Sequence, residues 1–196
     1  MTQIFDKEGL ALPVTVVNVG PCFITYLKTQ NIHGYNAIQI GYLQGREDNF
    51  KKAQLGHLKK NGLSPLCHLC EYKVPNTQDY FIGQKITVNN FIIGQYVNVT
   101  GKSIGKGFSG NQKRHKFKRG PMSHGSKNHR APGSIGPGTT PGRVFPGKLM
   151  AGQLGAKQIT VSKLEILGID YKQNLLILKG NVPGKPGNLL NIIPSS

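Results

Sequence analysis

The sequence predicts a mostly-β protein: a closed β-barrel body carrying one long, irregular, basic, Gly/Pro-rich loop. Three observations predict it. Short β-branched segments recur at close spacing over residues 1–100 and again over 156–196, as in a small barrel. Between them, the 55 residues from Gly101 to Gly155 hold 13 Gly and 5 Pro, too many for a regular helix or a central strand. Finally, the 85 residues from Tyr80 to Leu164 contain 14 Lys or Arg and no Asp or Glu. Such a run repels itself and does not collapse alone.

In chain order, Leu12 to Val19 is β-branched and reads as a strand, broken by Gly20-Pro21. Cys22 to Lys28 follows as its partner. Asn36 to Tyr42 alternates, with Ile38, Ile40 and Tyr42 on one side and Gln39 and Gly41 on the other, the pattern of a half-buried strand. Residues 46–62 are polar, with two Lys-Lys pairs, and form a short helix or an excursion. Strand character returns at Leu66 to Val74, Lys85 to Val88 and Tyr96 to Thr100. After the basic stretch it resumes at Gln158 to Leu167, Asn174 to Lys179 and Asn188 to Ile193. A structureless loop of this length inside a domain is unusual, but here its composition opposes packing. It is expected to be disordered in the free chain.

The totals narrow the partner. The formal net charge is +17, and 80–164 carries +14 of it, leaving +3 for the rest. The hydrophobic fraction is 37%, against roughly 45–50% for an ordinary globular chain, and the shortfall lies mostly in the basic stretch. Nucleic acid is the polyanion that best orders such a segment. A membrane fits poorly, because no apolar run approaches the roughly 18 residues of a spanning helix. The many Gly and Pro also oppose an amphipathic surface helix. Met1 to Asp6 lacks the basic and apolar regions of a secretory signal. Three cysteines argue against a disulfide framework and for a reducing compartment. The abundance of Ile, Asn and Lys, with no Trp, is the bias an A+T-rich organellar genome produces.

Several motifs fail on context. Gly105-Lys106-Gly107-Phe108-Ser109-Gly110 matches G-x-G-x-x-G, but a dinucleotide site needs an apolar helix next and an acid about 20 residues on. No acid follows before Glu165. Gly101-Lys102-Ser103 ends like a phosphate-binding loop, yet Tyr96 stands where its first Gly belongs. Cys67-His68-Leu69-Cys70 is half a zinc knuckle without a second pair, so no metal is expected. His115, His124 and His129 have no carboxylate nearby to orient them, so no catalytic site and no cofactor are expected either.

The chemistry that remains is RNA binding. Its candidates are Lys102, Lys106, Lys113, Arg114, His115, Lys116, Lys118, Arg119, His124, Lys127, His129, Arg130, Arg143 and Lys148. Lys and Arg neutralise phosphates, and Arg also bridges oxygens or stacks on bases. Phe108, Phe117 and Phe145 add flat faces for unpaired bases. A solvated charged face is the plainer explanation, but such a face seldom excludes every acid over this length. A nuclear targeting tail also fits poorly, because strands on both sides fix its ends. Replacing Arg114 or Arg119 is expected to flatten the salt dependence of binding by about one unit each.

The motifs Gly105-Lys106-Gly107-Phe108, Lys113-Arg114-His115 and Ser123-His124-Gly125-Ser126 resemble the signature region of the large-subunit ribosomal protein L-three family. So do His129-Arg130, Pro132-Gly133-Ser134-Ile135-Gly136, Thr140-Pro141-Gly142-Arg143-Val144 and Met150-Ala151-Gly152-Gln153. The likeness extends from Met1-Thr2-Gln3-Ile4-Phe5 to Val182-Pro183-Gly184, with the motifs in family order. Ala37 to Tyr42, Leu55 to Leu58 and Lys185 to Leu190 resemble its cyanobacterial and plastid branch.

The resemblance implies a structural constituent of the large ribosomal subunit whose barrel lies on the subunit surface. Its loop would thread into the large ribosomal RNA toward the peptidyl transferase region. It implies direct binding to that RNA near its 3′ end, help in nucleating assembly, and ribosomal proteins L fourteen and L nineteen as neighbours. No small-molecule substrate is implied, and peptide transfer belongs to the RNA. The expected location is the ribosome of a plastid stroma, with a bacterial cytoplasm as the alternative. Gln153 matches a position methylated in bacterial members. Family members usually begin earlier, with a basic Gly-rich segment that ends at the equivalent of Met1; whether that segment is missing here or was cleaved off stays open, and with it any N-terminal RNA contact. The competing reading is a free-standing regulatory RNA-binding module, in which the isolated 101–155 segment binds short single strands and its deletion leaves assembly intact.

Overall fold

The computed structural model describes residues 1–195. Strand accounts for 37% of the chain and helix for 12%, so the protein is mostly β, as its β-branched segments predict. Two compact units make up the chain: Met1–Asn98, Ser162–Val182 and Ile192–Ser196 form the first, and Val99–Val161 with Pro183–Asn191 the second.

The elements follow in order as β1 (Thr2–Phe5), β2 (Ala11–Asn18), β3 (Cys22–Lys28), α1 (Gln30–His33) and β4 (Ala37–Gln44). Residues 46–62 hold a 3-10 turn at Glu47–Asn49 and α2 (Lys52–Lys60). Next come β5 (Leu66–Lys73), β6 (Lys85–Ile86) and β7 (Tyr96–Lys102). Within the basic stretch lie β8 (Gly107–Ser109), α3 (Asn111–His115) and β9 (Gly152–Leu154). The chain ends with β10 (Gln158–Asp170), β11 (Leu175–Lys179) and β12 (Leu190–Pro194).

Six strands form one sheet in the order β1-β2-β11-β10-β7-β12, and four form another in the order β5-β4-β3-β6. The closed barrel expected from the sequence is not formed by these hydrogen bonds. Closure needs the two end strands of a sheet to pair with each other, whereas β1 and β12 each pair with one neighbour only. Strand spacing and alternation give the strands but not their closure, which depends on pairings between residues far apart in sequence.

The core of the first unit is built by alternating positions on these strands. Val14, Ile24, Ile38, Ile166, Leu176 and Leu178 are buried, and α2 adds Leu58. β4 differs from the half-buried strand expected of it. Its Gln39 and Gly41 face is covered too, because α2 and neighbouring side chains supply polar partners. Gln39 Oε1 accepts from Thr25 Oγ1 at 2.8 Å and lies 2.8 Å from His57 Nε2, while Asn61 Nδ2 donates to the Thr25 carbonyl at 2.8 Å. A buried strand face can carry such residues when each polar group is paired.

The exposed end of this sheet is tied by Lys28, Tyr35 and Glu71. Lys28 Nζ sits 2.8 Å from Glu71 Oε1 and donates to Tyr35 Oη at 2.6 Å, and Tyr35 Oη donates to Glu71 Oε2 at 2.9 Å. The hydrogen bond from Lys28 is the main cause holding the Glu71 carboxyl below its ordinary value of 4.5, aided by that from Tyr35. A lowered folded value means stability that is present above pH 4.5 and lost as pH falls through the folded value. Glu71→Gln therefore lowers the melting temperature at neutral pH, and the gap to wild type closes as the melts are taken below pH 4.5.

Candidate nucleic-acid interface

The second unit contains the basic stretch, which is not irregular throughout. At its base β8 and β9 pair antiparallel, with Gly107 opposite Leu154, Phe108 opposite Gln153 and Ser109 opposite Gly152. The Lys106 amide adds a bond to the Leu154 carbonyl at 2.8 Å, and the Ser103 amide one to the Lys157 carbonyl at 2.9 Å. Just beyond the ladder, the single turn α3 is flanked by Gly110 at its start and by Lys116 at its end, the latter in the left-handed region at φ 60°. Lys113, Arg114 and His115 occupy its last turn, where cations complement the carbonyl end of a helix.

A side-chain clamp joins the two limbs. Arg114 Nη1 donates to the Met150 carbonyl at 2.6 Å, and His115 Nε2 lies 2.9 Å from the same oxygen. Facing a carbonyl, that ring nitrogen must carry the proton. Gly152 makes room for the guanidinium: a Cβ there would lie 2.5 Å from Arg114 Nη1. Further out, Gln112 Nε2 donates to the Arg130 carbonyl at 2.8 Å, the Gly120 amide to the His129 carbonyl at 3.2 Å, and His129 Nδ1 lies 3.1 Å from the Pro121 carbonyl.

The remaining candidates are cations turned outward. Lys102, Lys106, Lys113, Lys116, Lys118, Arg119, Lys127, Arg130, Arg143 and Lys148 are all exposed. The three ion pairs among the described residues use Lys28, Lys59 and Lys179, so none neutralises this group. Arg143 lies over the Phe145 ring, 5.6 Å from its centroid. Phe108 is 80% exposed and Phe145 56%, whereas Phe117 is half-buried against His115, with centroids 6.1 Å apart. His124 is exposed at φ 57°.

The structure thus separates Arg114 from Arg119. Arg119 is free to meet a phosphate, while Arg114 spends an N–H on the protein. Arg114→Ala removes a hydrogen bond from a charged donor, so amides of 107–115 and 150–154 should exchange about tenfold faster, roughly 1.5 kcal/mol of local stability. Unchanged exchange would mean that the clamp holds nothing. Sequence reasoning missed the clamp and the ladder for a physical reason. Three-residue strands are too short to show a period of two, and their pairing spans more than forty residues.

Cys67 and Cys70 stand three apart on β5, hence on opposite faces. Among the described residues, no three His, Cys, Asp or Glu side chains come together as metal ligands. No helix among them is long and apolar enough to cross a membrane.

The fold and the site together define a class: a mostly-β protein with a clamped, acid-free loop whose cations have no protein counter-ion among the described residues. Comparison with known proteins identifies the family. The family model for ribosomal protein L3 matches residues 30–176. A Synechococcus protein named large ribosomal subunit protein uL3 is 58% identical over the whole of this chain and 92% of its own length. One of that name from Prochlorococcus marinus is also 58% identical, over the whole chain and 90% of its own length. A Phaeodactylum tricornutum protein named large ribosomal subunit protein uL3c is 57% identical over the whole chain and 95% of its own length. The chain belongs to the ribosomal protein L3 family.

Proposed function

We propose that this chain is a structural, non-enzymatic component of a bacterial-type large ribosomal subunit and binds its RNA directly. The observation that carries this reading is the set of ten outward cations in a segment without a single acid. Counter-ions for them must come from outside the chain, and the phosphates of an RNA strand can supply them. Membership of the ribosomal protein L3 family supports the large ribosomal RNA as that RNA.

In this reading the β-sheet body carries the loop, and the clamp at Met150 presents it as two limbs. The tip, roughly 118–149, orders on RNA and reaches toward the peptidyl transferase region. Binding near the RNA's 3′ end would nucleate assembly, with L fourteen and L nineteen as neighbours. The site residues keep the roles expected of them, except that Arg114, His115 and His129 also hold the loop together. The uL3c relative and the Ile/Asn/Lys bias support a plastid ribosome. Gln153 is exposed and so open to methylation, which would add about 14 Da to the 150–157 peptide.

Hydrogen exchange tests the central step. Amides of 118–149 should exchange rapidly in the free chain and become protected when a large-subunit RNA fragment is added. Equal protection with and without RNA would contradict it.

A further inference from the structure

We propose that Phe108 and Gln153 form one binding site for a single unpaired adenine of RNA, the ring stacking on the base and the amide pairing with its edge. The site rests on the RNA-binding reading above and gives it a base contact.

The register carries the inference. Phe108 and Gln153 stand directly opposite each other in the β8–β9 ladder, so their side chains rise from the same face within reach of one ligand. Alternation fixes which face this is: the next residue, Ser109, is buried, while Phe108 is 80% exposed and Gln153 is exposed. The amide of Gln153 is barely engaged, donating only to the adjacent Leu154 carbonyl at 3.5 Å. A donor and an acceptor side by side are therefore available beside a bare aromatic face.

The surroundings suit a nucleotide. The residues two along from the pair are Lys106 and Gly110 on one limb and Ala151 and Gly155 on the other. Three of these are small and leave the approach open, while Lys106 can meet the phosphate of the stacked nucleotide. Every base has a face that stacks on a ring. The carboxamide can pair with adenine through either edge, because its exocyclic amine is flanked by N1 and by N7, each placing an acceptor beside the donor, whereas cytosine offers one such edge. The clamp at Met150, two residues from Gly152, keeps the pair in register.

The test compares three probes on the full chain: a short strand of abasic ribonucleotides with one central adenosine, the same strand with one central uridine, and the fully abasic strand. Wild type should hold the adenine probe about tenfold more tightly than the abasic one, as expected of one base–aromatic stack. Phe108→Ala should bring the adenine probe down to the abasic value, leave the abasic probe and the salt slope unchanged, and be rescued by Phe108→Tyr. Gln153→Ala should lose the preference for adenine over uridine at that position. Because both side chains are exposed, neither change should alter the melt. Equal binding of the adenosine and abasic probes by wild type, or an undiminished adenine advantage in Phe108→Ala, overturns the site while leaving phosphate binding standing. Failure of all three probes to bind at low salt overturns the RNA-binding reading with it.

Discussion

Affinity for RNA should fall by roughly a thousandfold or more between about 50 and about 200 mM salt. Ten outward cations have no protein counter-ion among the described residues, and each phosphate they neutralise releases a condensed ion. If about 8 to 10 of them engage, the log–log slope is about −6 to −9. The structure sharpens what single changes do. Arg119→Ala removes an exposed, unpartnered charge and should flatten the slope by about one unit. Arg114→Ala should change it less, because that guanidinium already holds the Met150 carbonyl. Equal flattening by both would mean that Arg114 leaves its carbonyl when RNA binds. No flattening by Arg119→Ala would remove it from the interface.

The second large effect lies in the body. Gly41→Ala should cost about 2 kcal/mol, lowering the melting midpoint by about 4–8 °C. A Cβ at Gly41 would run into Leu66 Cδ1 and come within 2.8 Å of Thr25 Cγ2. Leu66 is buried and has little room to turn away. Thr25 cannot move either, since its hydroxyl is fixed to the Gln39 carbonyl at 3.2 Å and to Gln39 Oε1 at 2.8 Å. Thr25→Ser deletes the obstructing methyl but keeps the hydroxyl, so in the double variant it should restore part of the loss. Additive costs in thermal melts of the two single variants and the double would place the strain elsewhere.

Gly41 also shows where the sequence was legible and where it was not. The alternation of Ile38, Ile40 and Tyr42 marks a strand, and β4 lies there. It cannot show that Gln39 and Gly41 face a covered surface, because what they meet lies elsewhere in the sequence: His57 of α2 at Gln39, and Leu66 and Thr25 at Gly41. The same division runs through the chain. Segments with local β-branched character, such as Cys22–Lys28, read correctly, while the expected closure is not seen within either sheet, since pairing is non-local and leaves no mark on a single strand. In the basic stretch, composition located the cations but not Met150, whose carbonyl is a backbone group with no sequence signature. Nor did it distinguish Phe117, half-buried against His115, from the exposed Phe108.

Filter binding across rising salt tests the account most directly. The purified chain is compared on a 3′ fragment of large-subunit RNA and on an unrelated RNA of equal length, with and without residues 105–150. The account predicts that only the ribosomal fragment stays bound at high salt and that removing the loop abolishes this preference. If both RNAs fall together, or if the preference survives the deletion, the loop does not read the ribosomal RNA and the account is wrong at its centre.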